Sequence, residues 1–189
     1  MSGIGAGFLV LLGIALIPVF FFIVVYNGLV RLRNTVDESW SDVQTELQRR
    51  YNLIPNLVNT VKGYATHERS LLEEVTRLRQ DCVNNTGSPA SQAATESKLN
   101  AVLGGLMVRL EAYPDLKANQ NFLELQRELS NTEDRIQAAY RFYNGNVREY
   151  NNRVQMFPSN IVAGMFGFAL REFFEIQDEK VREVPPVAF

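Results

Sequence analysis

The first thirty residues carry no charged side chain; the first one met along the chain is Arg31. Within them Ile4 to Tyr26 is a run of 23 residues, of which 19 are apolar or aromatic. A helix of that length rises about 34 Å, enough for a bilayer hydrocarbon core of about 30 Å with some tilt. Sixteen Leu, Ile, Val and Phe residues lie in the run. They favour insertion by about 5–10 kcal/mol before deductions for glycine and Pro18, and proline is tolerated in such a span. Tyr26 stands where an interfacial aromatic belongs. A cleaved signal peptide would want a basic start, a shorter apolar stretch and a small-residue cleavage site. None of these is present, so residues 1–28 read as an uncleaved transmembrane anchor. Ser2 stands where N-myristoylation needs glycine. No lysine or arginine precedes the span, whereas Arg31 and Arg33 follow it. That asymmetry predicts an N-terminus outside and the helical domain in the cytoplasm.

All 19 basic and 21 acidic side chains fall in the other 159 residues. The net charge of −2 gives no case for nucleic acid, which usually needs a clustered basic surplus. One cysteine, Cys82, allows no internal disulfide framework and fits a reducing compartment. One histidine, His67, excludes the zinc His-Glu-x-x-His helix and the paired Glu-x-x-His di-iron bundle. No Gly-rich phosphate loop follows a strand. The chain is expected to be no enzyme, with no catalytic, cofactor-binding or metal residues, no cofactor and no small-molecule substrate.

Residues 29–158 read as a bundle of long helices. One seven-residue register runs Leu29, Val36, Val43, Arg50, Leu57, Tyr64, Leu71, Leu78; the other runs Arg33, Trp40, Leu47, Ile54, Val61, Glu68, Val75, Cys82. Thirteen of the sixteen are apolar or aromatic, the pattern of a coiled-coil-like seam. Pro55 and Gly63 are the candidate kink, because proline removes a backbone donor. Asn52, Asn56 and Asn59 cluster there and could satisfy the freed groups. Ser88 and Pro89 form a helix start, as N-cap and first residue. Asn121 with Glu124 suggests another. From there Phe122, Leu129, Ile136, Tyr143, Tyr150 and Phe157 recur every seven residues until Pro158. No segment alternates with period two. The fold class is therefore all-α: a transmembrane helix followed by an antiparallel bundle of three long, coiled-coil-like helices.

Residues 159–189 are an apolar, Phe-rich C-terminal segment and tail. The ten residues 161–170 are too few to span a bilayer. Three readings stand: the segment caps the bundle core, lies in the membrane interface, or packs on another subunit. The candidate assembly or membrane-interface residues are Tyr143, Tyr150, Phe157, Phe166, Phe168, Phe173 and Phe174. Tyr143 and Tyr150 belong here because each precedes an asparagine and they are one heptad apart. A seam tyrosine buries its ring and needs a partner for its hydroxyl. Interior bonding that fixes register and a self-assembly surface both answer that need.

Carboxylates such as Glu73 and Glu74 have basic neighbours at helical spacing and read as solvated faces rather than acid–base pairs. Glu68, Arg33 and Arg50 occupy seam positions, where a charge needs a partner. Cys82 reads as a small packed residue.

Several blocks, in order, resemble the LemA family. They are Tyr26-Asn27-Gly28-Leu29-Val30-Arg31-Leu32-Arg33, Trp40, Gln48 to Val58 around Pro55, and Val61-Lys62-Gly63-Tyr64-Ala65. Further on come Glu111-Ala112-Tyr113-Pro114-Asp115-Leu116-Lys117-Ala118-Asn119, Thr132 to Ile136, Tyr143-Asn144, Tyr150-Asn151, Phe157-Pro158 and Gly164 to Phe168. Ser39 departs from the alanine more usual before the tryptophan. The resemblance implies a bacterial inner-membrane protein with one N-terminal span, a cytoplasmic helical bundle and no established enzymatic activity. A magnetosome membrane protein belongs to that family, which points to organising membranes. Members often occur beside membrane-protease components, which points to an accessory role. Two functional expectations follow. One is a non-enzymatic scaffold that contacts the lipid bilayer, self-associates as a homo-oligomer and organises or remodels the membrane. The other is an accessory or regulatory subunit of a membrane protease or signalling complex.

Overall fold

A computed structural model describes residues 2–175, and among them the chain is all-helical, with no strand. Its helices are α1 (Ser2–Lys62), α2 (Arg69–Asn84), α3 (Pro89–Leu110), α4 (Pro114–Lys117), α5 (Gln120–Gln155) and α6 (Ser159–Phe166), with a 3-10 turn at Thr66–Glu68 before α2. Two compact units divide the chain, Met1–Trp40 with Gly145–Arg171, and Ser41–Asn144 with Glu172–Phe189. α1 and α5 each contribute a stretch to both.

α1 is long and apolar enough to cross a membrane, with a window of mean hydropathy 1.7. The expected span, Ile4 to Tyr26, lies wholly in it, although the side chains of residues 4–12, 14 and 15 fall outside the description. Residues 176–189 of the expected tail also lie outside the described residues.

The heptad seam of α1 is real and buried: Leu29, Val36, Val43, Leu47, Ile54, Leu57 and Val61 are all 2 % exposed or less. The helix runs through Pro55 and ends at Lys62, just before Gly63. Proline at 55 cannot donate to the carbonyl four residues back, that of Tyr51. That oxygen instead accepts from Arg79 Nε of α2 at 2.6 Å. The freed group is thus satisfied from another helix rather than by the neighbouring asparagines. At the true end, the Val61 carbonyl takes the amides of Tyr64 (3.0 Å) and Ala65 (2.9 Å), and the chain turns back. The seam that runs to Cys82 is therefore carried by two helices, divided at Gly63 of the candidate kink and not at Pro55.

α2 and α3 form an antiparallel hairpin. Glu68, entering α2, bonds Arg109 and Tyr113 at the far end of α3. Asn85, leaving α2, bonds Ser91 and Thr95 at the start of α3. The start is capped as the sequence suggests, by the Ser88 hydroxyl with Pro89 in the first turn. Arg50 meets Glu133 while Tyr64 meets Asn119, so α1 and α5 run antiparallel here. α5 is capped by Asn119, whose Oδ1 accepts the Phe122 amide at 3.1 Å, and not by Asn121. α4 occupies part of what reads as loop, with Leu116 fully buried.

In the other unit α6 buries Ser159, Val162 and Ala163. It ends at Gly167, whose φ of 69° is left-handed and favours a residue without Cβ. The Phe168 amide then reaches back to the Ala163 carbonyl at 3.0 Å, a Schellman-type closure. Gly167 thereby releases the chain from helix into the extended stretch that follows.

Candidate functional site

The deepest polar feature is in the unit of Ser41–Asn144. Arg50 of α1 and Glu96 of α3 are 2 % and 1 % exposed and ion-paired. Arg50 Nη1 also donates to Asn100 Oδ1 at 2.6 Å and to Glu133 Oε2 of α5 at 3.0 Å. The Tyr51 hydroxyl donates to the second Glu96 oxygen. One guanidinium on the seam thus joins three helices. Desolvation by this core pushes the Tyr51 phenol well above its ordinary range, and that of Tyr140 likewise. Burial also pushes the Cys82 thiol up, against the character of a nucleophile. The groups of the cluster bind one another. Taking two charges out of water is costly and is repaid only by full pairing, so such a cluster serves register. Among the described residues no group of three or more His, Cys, Asp or Glu side chains could hold a metal.

The Tyr-Asn pairs use their polarity on the C-terminal segment. In one unit the Tyr143 hydroxyl donates to the Glu172 carbonyl at 2.8 Å. Asn144 grips Phe174 at both ends, donating to its carbonyl (2.8 Å) and accepting its amide (2.9 Å). In the other unit Tyr150 donates to the Ala169 carbonyl at 3.0 Å. Asn151 grips Arg171 in the same two-point manner, at 2.9 and 2.8 Å. An extended segment has no helical partners for its amides, and the asparagine side chain supplies the complement of a backbone unit.

The candidate assembly or membrane-interface residues divide by exposure. Tyr143, Tyr150, Phe168 and Phe174 are 9 % exposed or less, the two tyrosines bonding to the C-terminal segment that carries the two phenylalanines. Phe174 stacks on Tyr140 with ring centroids 4.1 Å apart. Phe168 lies under the Arg33 guanidinium at 5.4 Å, which gives that seam arginine its partner. Phe173 is half-buried. Of the seven, only Phe157 and Phe166 stand largely exposed.

Two exposed surfaces remain. On α1, Ser41, Thr45, Gln48, Asn52 and Asn56 form a stripe of uncharged polar groups facing outward along a shallow groove, which Arg49 also lines. The exposed face of α2 contrasts with it, carrying the ion pairs Arg69–Glu73 and Arg77–Asp81. The densest apolar surface is in the other unit, along the described span from Leu16 to Tyr26 and again at α6 and its flanks, whereas the unit of Ser41–Asn144 exposes more widely spaced apolar residues such as Val108 and Phe142.

A family model described as the LemA family matches residues 39–189. Protein LemA of Metamycoplasma hominis is 29 % identical over 181 residues, covering 93 % of this chain and 83 % of its own. Magnetosome protein MamQ 2 of Paramagnetospirillum magneticum is 26 % identical over 175 residues, and MamQ of Magnetospirillum gryphiswaldense 25 % over 174. Each of these two covers 79 % of this chain, which spans 64 % of their length.

Proposed function

The chain belongs to the LemA family, and from that premise we propose that it is a non-enzymatic, membrane-anchored scaffold whose helical bundles associate side by side. α1 fixes the chain in a bacterial inner membrane. Arg31 and Arg33 hold the bundle on the cytoplasmic side. Copies then meet through the neutral stripe of α1, and their anchors organise the membrane between them. The magnetosome relatives support a role of that kind.

The stripe carries this reading. A solvent face normally carries charge, as α2 does, whereas the core of a protein interface is depleted of it. Ser41, Thr45, Gln48, Asn52 and Asn56 hold no charge over about four turns, with the Arg49 cation lining the groove beside them. Burying them against a second copy costs far less than burying ions, because each amide finds a partner. The full chain in mild detergent is the test. Light scattering should give a homo-oligomer, and Gln48→Glu with Asn52→Glu should return it to monomer with unchanged helicity. A wild-type chain that stays monomeric would overturn the scaffold. A monomer in fixed stoichiometry with a different membrane protein would favour the accessory role.

A further inference from the structure

We propose that α6 and its flanks form a second membrane contact, lying in the bilayer interface beside the point where α1 leaves the lipid. This inference rests on α1 being the anchor, and goes beyond it by assigning a surface that anchoring alone does not require.

Met156, Phe157, Ile161, Met165, Phe166 and Leu170 are between 49 % and 79 % exposed, within fifteen residues of chain. Scattered apolar residues on a surface are ordinary, but a contiguous group of this size marks an interaction site. α6 is two-sided: Val162 and Ala163 face the core at 0 % and 1 % exposure, while Ile161, Met165 and Phe166 face out. From 155 to 170 there is no charged residue, and Arg153 and Arg171 flank the stretch. Arg171 is ion-paired with Asp37 at 2.9 Å, so Arg153 is the exposed cation that borders an uncharged surface suited to acyl chains.

Continuity with the span identifies the occupant. The Phe166 ring meets the Tyr26 ring edge-on at 4.8 Å, and Phe168 meets it at 5.7 Å. Tyr26 is the last residue of the apolar run. α6 is thus fixed at the depth where tyrosine favours the boundary between lipid and water. Eight residues cannot cross the bilayer, but a short helix can lie within its surface layer.

Depth-resolved fluorescence quenching of the full chain, in vesicles of phosphatidylcholine and phosphatidylglycerol brominated at defined acyl positions, tests this. Trp40→Phe removes the single native tryptophan. Met165→Trp and Phe157→Trp each report on α6, and Val24→Trp reports on the span. Both α6 probes should be quenched most by bromine near the headgroups, at least twofold more than by bromine near the chain ends. A quenched span probe with unquenched, water-exposed α6 probes overturns the inference and leaves the anchor standing. Unquenched but blue-shifted α6 probes also overturn it, because a second copy or another protein then covers the helix. Failure of all three probes overturns both the anchor and the inference.

Discussion

In the unit of Ser41–Asn144 the guanidinium of Arg50 lies 2 % exposed against Glu96 at 1 %, whereas in the other unit Phe20 and Phe157 stand 70 % and 79 % exposed. One unit hides an ion cluster and exposes apolar residues at wide spacing, such as Phe142, while the other displays them in dense runs. Both are costly in water, and the difference separates a packed helical core from surfaces that suit lipid. A buried ion pair needs protein groups in place of water, and Asn100, Tyr51 and Glu133 supply most of them around Arg50 and Glu96, leaving the buried Arg50 Nε without a hydrogen-bond partner among the described residues. Exposed rings need no such company if their surroundings are acyl chains. Helix periodicity is common to both units; what differs is where polarity is placed.

Breaking the ion cluster should have the largest effect. Glu96→Ala strands a buried guanidinium and is expected to cost about 3–5 kcal/mol. Arg50→Met with Glu96→Leu removes both charges and should recover most of that loss, read by denaturant unfolding in detergent. If the single change costs under about 1 kcal/mol, the cluster is not sealed from water. Next come the two grips on the tail. Asn151→Ala deletes two hydrogen bonds to Arg171, worth about 1–3 kcal/mol together. Hydrogen exchange should show protection lost at the Arg171 amide but kept at Phe174, and Asn144→Ala should show the reverse.

Smaller effects sharpen the same contrast. The Tyr140 hydroxyl is buried with no hydrogen-bond partner among the described residues. Tyr140→Phe should therefore stabilise the fold, by up to about 1 kcal/mol. Burial raises the folded-state pKa of Tyr51 and Tyr140 above the ordinary value of 10.0. The unfolded chain then releases these protons first, so stability is full below pH 10 and falls as pH rises beyond it. The alkaline slope should be shallower in Tyr140→Phe. Smallest of all, Met165→Ser should change unfolding in detergent by no more than about 0.5 kcal/mol, since that side chain is 66 % exposed.

The sequence makes the seams legible because burial imposes period seven on residues close in the chain. Leu29 to Val61 could be assigned to the core on spacing alone, and the anchor on its missing charges. Gly63 of the candidate kink stands at the turn after Lys62, although Tyr64 and Glu68 keep the heptad phase while the chain reverses. Pro55 looked like the break because a lost donor is visible in sequence, but its remedy, Arg79, is 28 residues from Tyr51. The partners of Arg50 were equally hidden, with Glu96 46 residues away. Seam tyrosines could be recognised as needing partners. That those partners are backbone groups of 169–174 depends on Gly167 turning the chain back, which no periodicity announces.

Site-directed spin labelling of the reconstituted full chain puts the contrast between the units to its most direct trial. With Cys82→Ala as background, Val24→Cys and Met165→Cys place labels in the unit with the span, and Glu74→Cys places one on the charged face of α2. Collision with oxygen, which concentrates in lipid, should dominate at 24 and 165. Collision with a water-soluble nickel chelate should dominate at 74. Equal access of the nickel chelate to all three positions would contradict the proposed lipid contact of the span and α6 and the exposure of α2 to water.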